Sequence, residues 1–191
     1  MEITPFKQRR LQLIQGGLND TILYGFLKIV PAPESIKPFQ IDARVFEEDT
    51  WLTISADPKI KPPEEHPLRL MQNILAARPE PVGSVLVQGM NPMRFLAIVH
   101  DMDSEPTWKE EWVAKALKAV FLETEKQKVH SLGLPLLGTE HGKLEKSRFI
   151  EMLSPILQKT SFSFLQRLWL IVPEHKKSQI IAMLKKALKI V

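Results

Sequence analysis

The sequence predicts an α/β domain in which helices pack on a mixed β-sheet. Two patterns support this: short β-branched and apolar runs typical of strands, and segments with helical periodicity that alternate with them along the chain. Size is the third observation: 191 residues with 44% hydrophobic composition are enough for one domain with a sizeable core. We expect this domain to span residues 39–191, after an N-terminal extension over residues 1–38.

The N-terminal extension has the least regular pattern. Thr21–Val30 is apolar enough for a strand or a buried helix. The chain holds 15 prolines, and Pro31, Pro33 and Pro38 predict a stiff, extended linker after that segment. The pattern leaves open whether residues 1–38 form an arm through which a homo-oligomer assembles.

Five strands are predicted after residue 39. Each is a short run of β-branched, aromatic or aliphatic residues bounded by turn residues. The first follows a turn at the sequence EED, and a proline-rich loop follows it. The runs are Thr50–Ala56 (TWLTISA), Ser84–Gln88, Phe95–His100, Val129–Leu137 and Leu165–Val172.

Four helices are predicted from apolar positions at helical spacing. The clearest is Thr107–Glu125, where Thr107 as N-cap and Glu110 three residues later suggest a capping box. Pro155 predicts a kink or a restart in the third helix. The other three helices are Leu68–Ala77, Ser147–Gln158 and a terminal helix after Pro173.

The net charge of +4 comes from the last segment, since residues 173–191 hold five lysines against Glu174. On a helix, Ile180 and Leu184 share one face and Lys185 lies opposite, which is typical of an amphipathic helix with a solvated basic side. Interleaved aromatic residues are absent from this segment, so the sequence does not favour nucleic acid as a partner.

Several classes of protein are excluded by composition. Cysteine is absent, which excludes disulfides, thiolate metal sites and cysteine nucleophiles. The first residues lack the apolar core of a signal peptide, and no apolar run approaches the ~18 residues of a membrane span. We expect a cytoplasmic protein with no membrane partner, no cofactor and no metal site.

The segment LGLPLLGTEHGKL (Leu132–Leu144) is the most informative one for function. An apolar strand runs there into a loop in which Gly138 and Gly142 let backbone N–H groups turn toward an anion. Thr139 adds a hydroxyl, and the N-terminus of the next helix favours negative charge. A phosphate-binding loop and an ordinary strand-to-helix turn both remain open on these residues.

The chain resembles the macro domains, which bind ADP-ribose and related nucleotides. The resemblance runs from about Trp51 to Ile181 and rests on three blocks in the family's order. VHSLGLPLLGTEHG is similar to the strand and diphosphate loop, Gly83–His100 to a pair of strands around a Gly-x-Asn turn, and Thr53–Pro58 to the Asn-Ala-Ala-Asn-Pro block. This implies a three-layer α/β/α fold with a mixed central sheet and a crevice at the carboxyl ends of the strands.

The departures from the family pattern lie mainly in the Asn-Ala-Ala-Asn block. Ile54 and Asp57 stand where the family has its two asparagines, and DPKIKPPEEHP replaces the glycine loop that follows. The resemblance nevertheless implies a set of ligand-binding residues for a diphosphate and a sugar. These residues are Gly138, Thr139, Glu140, His141, Gly142, Ser55, Asp57 and Asn91.

Three functions are expected from this reading. The first is binding of an ADP-ribose-like or other nucleotide-diphosphate ligand by a divergent macro-like domain. The alternatives are a macro-like interaction or assembly module without a ligand, and an ADP-ribosyl hydrolase. Asp57 and His141 are the candidate catalytic residues for the last of these, because a histidine beside a carboxylate can serve as a general base.

Overall fold

The computed structural model describes residues 21–54 and 78–190. The predicted helix Leu68–Ala77, the proline-rich loop before it and the candidate residues Ser55 and Asp57 lie outside the described residues.

The described strands form one mixed sheet of seven strands. Their order across the sheet is β1-β2-β7-β6-β3-β5-β4. The five central strands are parallel to one another, and the edge strands β1 and β4 are antiparallel to their neighbours. The strands are β1 (Ile22–Tyr24), β2 (Leu27–Ala32), β3 (Ala43–Asp49), β4 (Val85–Gln88), β5 (Met93–His100), β6 (Ser131–Pro135) and β7 (Arg167–Ile171).

Within the described residues, three α-helices pack against this sheet through their apolar faces. In the first, the apolar positions that the sequence places on one face are buried, as predicted. In the third, Ile180 and Leu184 are fully buried against the core. The helices are α1 (Glu110–Lys126), α2 (Lys146–Lys159) and α3 (Lys177–Ala187), the last preceded by a 3-10 turn at Glu174–Lys176. The buried residues of α1 include Val113, Ala116, Leu117, Val120 and Phe121.

The predicted turn at EED and the strand after it are wrong. Glu47, Glu48 and Asp49 are the last residues of β3, and the chain turns at Thr50–Ile54 instead. The carboxylates explain this arrangement, because Glu48 and Asp49 are fully buried and accept hydrogen bonds from the backbone of the turn that follows. Charged residues at a strand end therefore serve here as buried acceptors rather than as exposed turn residues.

The predicted capping box at Thr107 is also wrong. Helix α1 begins at Glu110, with Lys109 at the N-cap position and no side-chain cap. The residues before it are held by β5: Trp108 forms an isolated antiparallel bridge with His100, and the carbonyl of Thr107 accepts a hydrogen bond from Asp101 N. Pairing to the end of β5 therefore shifts the N-cap from Thr107 to Lys109. Helix α2 runs through Pro155 as a single helix.

Strands β1 and β2 place part of the N-terminal segment in the sheet. Leu27–Ala32 pairs in parallel with β7, and Ile29 is fully buried. The boundary predicted at residue 38 therefore does not coincide with an edge of the sheet. Among the described residues, no helix is long and apolar enough to cross a membrane.

Candidate functional site

A cleft of about 610 Å³ lies at the carboxyl ends of four parallel strands. Residues at or after the ends of β2, β6 and β7 form its walls, and Arg44–Glu47 in the middle of β3 form its floor. The strands that follow β3 in sequence, β4 and β5, lie on one side of the cleft. The strand that follows β6, β7, lies on the other side and is reached through α2. Ligands of open α/β sheets bind at such a switch point. Its lining includes Glu34, Arg44, Phe46, Glu47, Thr139, Glu140, His141 and Lys146.

The gap between β3 and β6 opens this cleft. These two strands pair at only two positions, Ala43 with Leu132 and Arg44 with Gly133. Beyond that point β3 continues to pair with β5, and β6 continues to pair with β7. The carboxyl halves of the two strands therefore border the cleft from either side.

The loop Gly138–Gly142 is closed by its own backbone. Gly138 has a φ of +76°, and its carbonyl accepts a hydrogen bond from Leu144 N at 2.9 Å. A Cβ at Gly142 would lie 2.7 Å from that same carbonyl oxygen and 3.0 Å from the Trp108 ring. Only glycine fits at both positions. Both glycines are buried, while Glu140 and His141 at the tip of the loop are exposed.

The carboxylate of Glu47 ties this loop to the sheet. One oxygen accepts a hydrogen bond from Gly138 N at 2.7 Å, and the other lies 2.6 Å from Nε2 of His100. The Glu47 side chain is 9% exposed and that of His100 is 2% exposed. The Gly138 amide, which the sequence predicts to bind a phosphate, therefore already donates its hydrogen bond to a carboxylate of the protein.

His141 stacks edge-on against the buried His100, with ring centroids 6.2 Å apart and the planes at 86°. Of the described residues, none forms a hydrogen bond or an ion pair with the imidazole of His141. Glu140 and His141 line the same cleft but are not joined to each other. The loop therefore presents two separate polar side chains to a ligand rather than a bonded acid–base pair.

Arg44 is the principal cation on the floor of the cleft. Its guanidinium forms an ion pair with Glu34 and lies 5.0 Å from the centre of the Phe46 ring. Arg94 lies 4.8 Å from the centre of that ring. Lys146, the first residue of α2, adds a second positive charge to the lining of the cleft.

No known family profile matches the chain, and no curated protein matches it. Solved structures do match. The Oceanobacillus iheyensis macrodomain with ADP is 14% identical and covers 88% of this chain and 94% of its own, with a TM-score of 0.59. This chain has a macrodomain fold. The predicted resemblance to macro domains is thereby confirmed for the fold, as is the three-layer α/β arrangement with a mixed sheet.

Two further structures support the macrodomain fold. The macro domain of ganglioside induced differentiation associated protein 2 is 8% identical, with a TM-score of 0.58 and 85% of each chain covered. The macrodomain of Thermus aquaticus DarG is 16% identical, with a TM-score of 0.53, and covers 76% of this chain and 98% of its own.

The macrodomain fold brings some of the sequence-predicted residues together. Thr139, Glu140 and His141 line the cleft, and the two glycines shape the loop that carries them. Asn91 does not lie there. It is exposed in the turn that precedes β5, at the amino ends of the parallel strands, which is the opposite edge of the sheet.

The sequence did not predict two residues that line the cleft, Arg44 and Glu47, or the contact between Glu47 and the buried His100. The three consecutive charged residues EED (Glu47–Asp49) predict a turn, although they are the last residues of a central strand. A usable signal was the pair of apolar residues Ala43 and Val45, which are two positions apart as on one face of a strand. Because three charged residues follow that pair, the strand end was predicted as a turn and its buried acceptors were not recognised.

Proposed function

We propose that the cleft binds an ADP-ribose-like nucleotide diphosphate. The observation that carries the proposal is the position of the cleft, at the carboxyl ends of parallel strands beside the glycine-bearing loop of a macrodomain fold. Two of the similar macrodomain structures were solved with ADPR and with ADP.

The dimensions and chemistry of the cleft support this ligand class. A volume of about 610 Å³ lies within the roughly 300–1,000 Å³ of small-molecule sites. Apolar walls from Val45, Phe46 and Val172 suit a base or a ribose face, and Thr139 and Ser35 offer hydroxyl groups for hydrogen bonds. Arg44 and Lys146 supply positive charge for phosphate groups.

Calorimetric titration with ADP-ribose tests the proposal. We expect saturable binding by the wild type and weaker binding by Lys146→Glu, because that substitution places a like charge beside the phosphates. Lys118→Glu is the matched control, since Lys118 is exposed on α1, outside the cleft lining. Absence of heat and of thermal stabilisation at millimolar ADP-ribose would overturn the proposal, and equal loss in both variants would exclude a local effect of Lys146.

The Glu47–Gly138 hydrogen bond favours a second candidate function. Because a protein carboxylate already holds the loop amide, the domain has a closed loop that needs no anion for its shape. An interaction or assembly module would need only that rigidity. Light scattering of the full chain distinguishes the two candidates: a stable oligomer that ignores ADP-ribose supports assembly, and a monomer that binds it supports the nucleotide site.

A further inference from the structure

We infer that Arg44 is the anion-binding residue of the cleft and that Glu34 is a resident carboxylate which the incoming anion displaces. The inference rests on the proposed function and assigns the phosphate contact to a residue outside the loop Gly138–Gly142.

The loop Gly138–Gly142 offers little to an anion. The N–H of Gly138 points to the Glu47 carboxylate at 2.7 Å, so a phosphate at that amide would meet a negative charge. Glu140 adds a further carboxylate at the tip of the loop. Because like charges in a cleft repel at short distance, the phosphate contact belongs on the side of the cleft where a cation lies.

Arg44 is held in position on that side by the sheet. Its register partner on β6 is Gly133, where an added Cβ would lie 3.8 Å from Cγ of Arg44. The aliphatic stem of Arg44 therefore lies beside Gly133, at van der Waals distance from a Cβ placed there. The Phe46 ring then fixes the guanidinium by a cation–π contact.

The guanidinium of Arg44 has unused capacity to donate hydrogen bonds. Nη2 is paired with Glu34, whereas the buried Nε has no hydrogen-bond partner among the residues that the structure describes. A buried donor without an acceptor is costly, and a guanidinium is suited to hold two oxygens of one phosphate at once. Arg44 therefore has one buried donor left unpaired, and its Nη2 is the donor that an oxyanion can take over from Glu34.

Glu34 is suited to be displaced. It follows β2 on the other wall of the cleft, and its side chain is 63% exposed, against 26% for Arg44. An ion pair with one partner so exposed contributes little to stability, so exchanging it for a phosphate costs little. The Glu34 carboxylate thus occupies the place of the anion until a ligand takes it.

Titration with ADP-ribose and, separately, with inorganic pyrophosphate tests the inference in four proteins. We expect Arg44→Gln to weaken binding of both ligands about tenfold or more, because charged hydrogen bonds to phosphate are lost. We expect Glu34→Gln to strengthen both several-fold, because a competitor is removed. Arg94→Gln is the matched control, since Arg94 contacts the same Phe46 ring but does not line the cleft, and it should bind like the wild type.

The outcomes separate the inference from the proposed function. Wild-type affinity for ADP-ribose in Arg44→Gln overturns the inference and leaves the nucleotide site standing. Pyrophosphate binding that depends on Arg44, without ADP-ribose binding, supports the anion site and overturns the proposed function. Weaker binding in Glu34→Gln overturns the displacement, and wild-type protein that binds neither ligand overturns both proposals. A misfolded Arg44→Gln protein is recognised by thermal unfolding, and the gain expected in Glu34→Gln cannot arise from misfolding.

Discussion

Glu47 and Gly138, 91 positions apart in sequence, are joined by a hydrogen bond of 2.7 Å from the loop amide to a carboxylate at the end of a central strand. The other oxygen of the carboxylate lies 2.6 Å from the buried His100. One side chain thereby fixes the loop at the cleft and the end of β5. Its charge also faces any anion that enters the cleft.

Glu47→Gln should lower stability and raise affinity for anions. An amide keeps the shape of the side chain but loses the charge that strengthens both hydrogen bonds, so we expect the free energy of unfolding to fall by about 1–3 kcal/mol. ADP-ribose should bind several-fold more tightly, because a negative charge has left the cleft and the loop amide is less firmly held. Urea unfolding and calorimetry measure the two effects.

Glu140→Gln is the control for that substitution. It removes the same charge from the cleft at an exposed position, without touching Gly138. We expect no more than about 0.5 kcal/mol change in stability and a smaller gain in affinity. If both variants are equally stable, the Glu47–Gly138 hydrogen bond does not hold the loop as described.

Asp49 organises the turn after β3, and Asp49→Asn should loosen it. The fully buried carboxylate accepts hydrogen bonds from Trp51 N at 2.6 Å, from Thr53 N at 3.1 Å and from the Thr53 hydroxyl. The NH₂ group of asparagine cannot accept a hydrogen bond, so one or more of these three donors would lose its acceptor. We therefore expect the free energy of unfolding to fall by about 2–4 kcal/mol. Urea unfolding followed by tryptophan fluorescence measures it.

Asp103→Asn is matched to this change, since Asp103 accepts one hydrogen bond from the indole of Trp51 at an exposed site. Its cost should stay below about 1 kcal/mol. Similar losses in the two variants would show that burial of Asp49 is not what makes the turn stable.

The ion pair between α1 and α2 should make stability fall in acid. Arg148 holds Glu110 through two hydrogen bonds, of 2.8 and 3.3 Å, and these bonds lower the pKa of Glu110 below its ordinary value of 4.5. A lowered pKa in the folded state means that the contribution is complete above the ordinary value and is lost as pH falls through the folded value. Thermal unfolding between pH 7 and about pH 3 measures it.

Glu110→Gln should lose this contribution at neutral pH and show a shallower fall in acid than the wild type. The effect is small, because the pair is exposed and screened by salt. The matched control is Glu111→Gln, which removes a neighbouring charge from the same exposed helix turn. Parallel acid profiles for Glu110→Gln and the wild type would contradict the assignment.

The parts of the fold that could be predicted are those fixed by local pattern. The apolar face of α1, the strand into the glycine loop and the terminal amphipathic helix all follow from spacing, since apolar residues recur at the period of the element. The start of α1 could not be predicted, because Trp108 is held by a bridge to His100 rather than by a local cap.

The candidate site was less predictable, because its key contacts join distant positions. Nothing near Glu47 in sequence reveals that Gly138 donates to it, and nothing near Arg44 reveals that it pairs with Gly133 on β6. Asn91 illustrates the opposite case, since a polar residue beside a strand was assigned to the cleft although it lies before the amino end of β5, at the other edge of the sheet.

A backbone NMR titration of the full chain with ADP-ribose tests the central claim most directly. The account predicts saturable shifts of the amides of Glu34, Arg44, Thr139 and His141 around the cleft, with none at Asn91 on the opposite edge of the sheet. Unchanged spectra at millimolar ADP-ribose, or shifts confined to the turn at Asn91, would contradict a nucleotide site at the carboxyl ends of the strands.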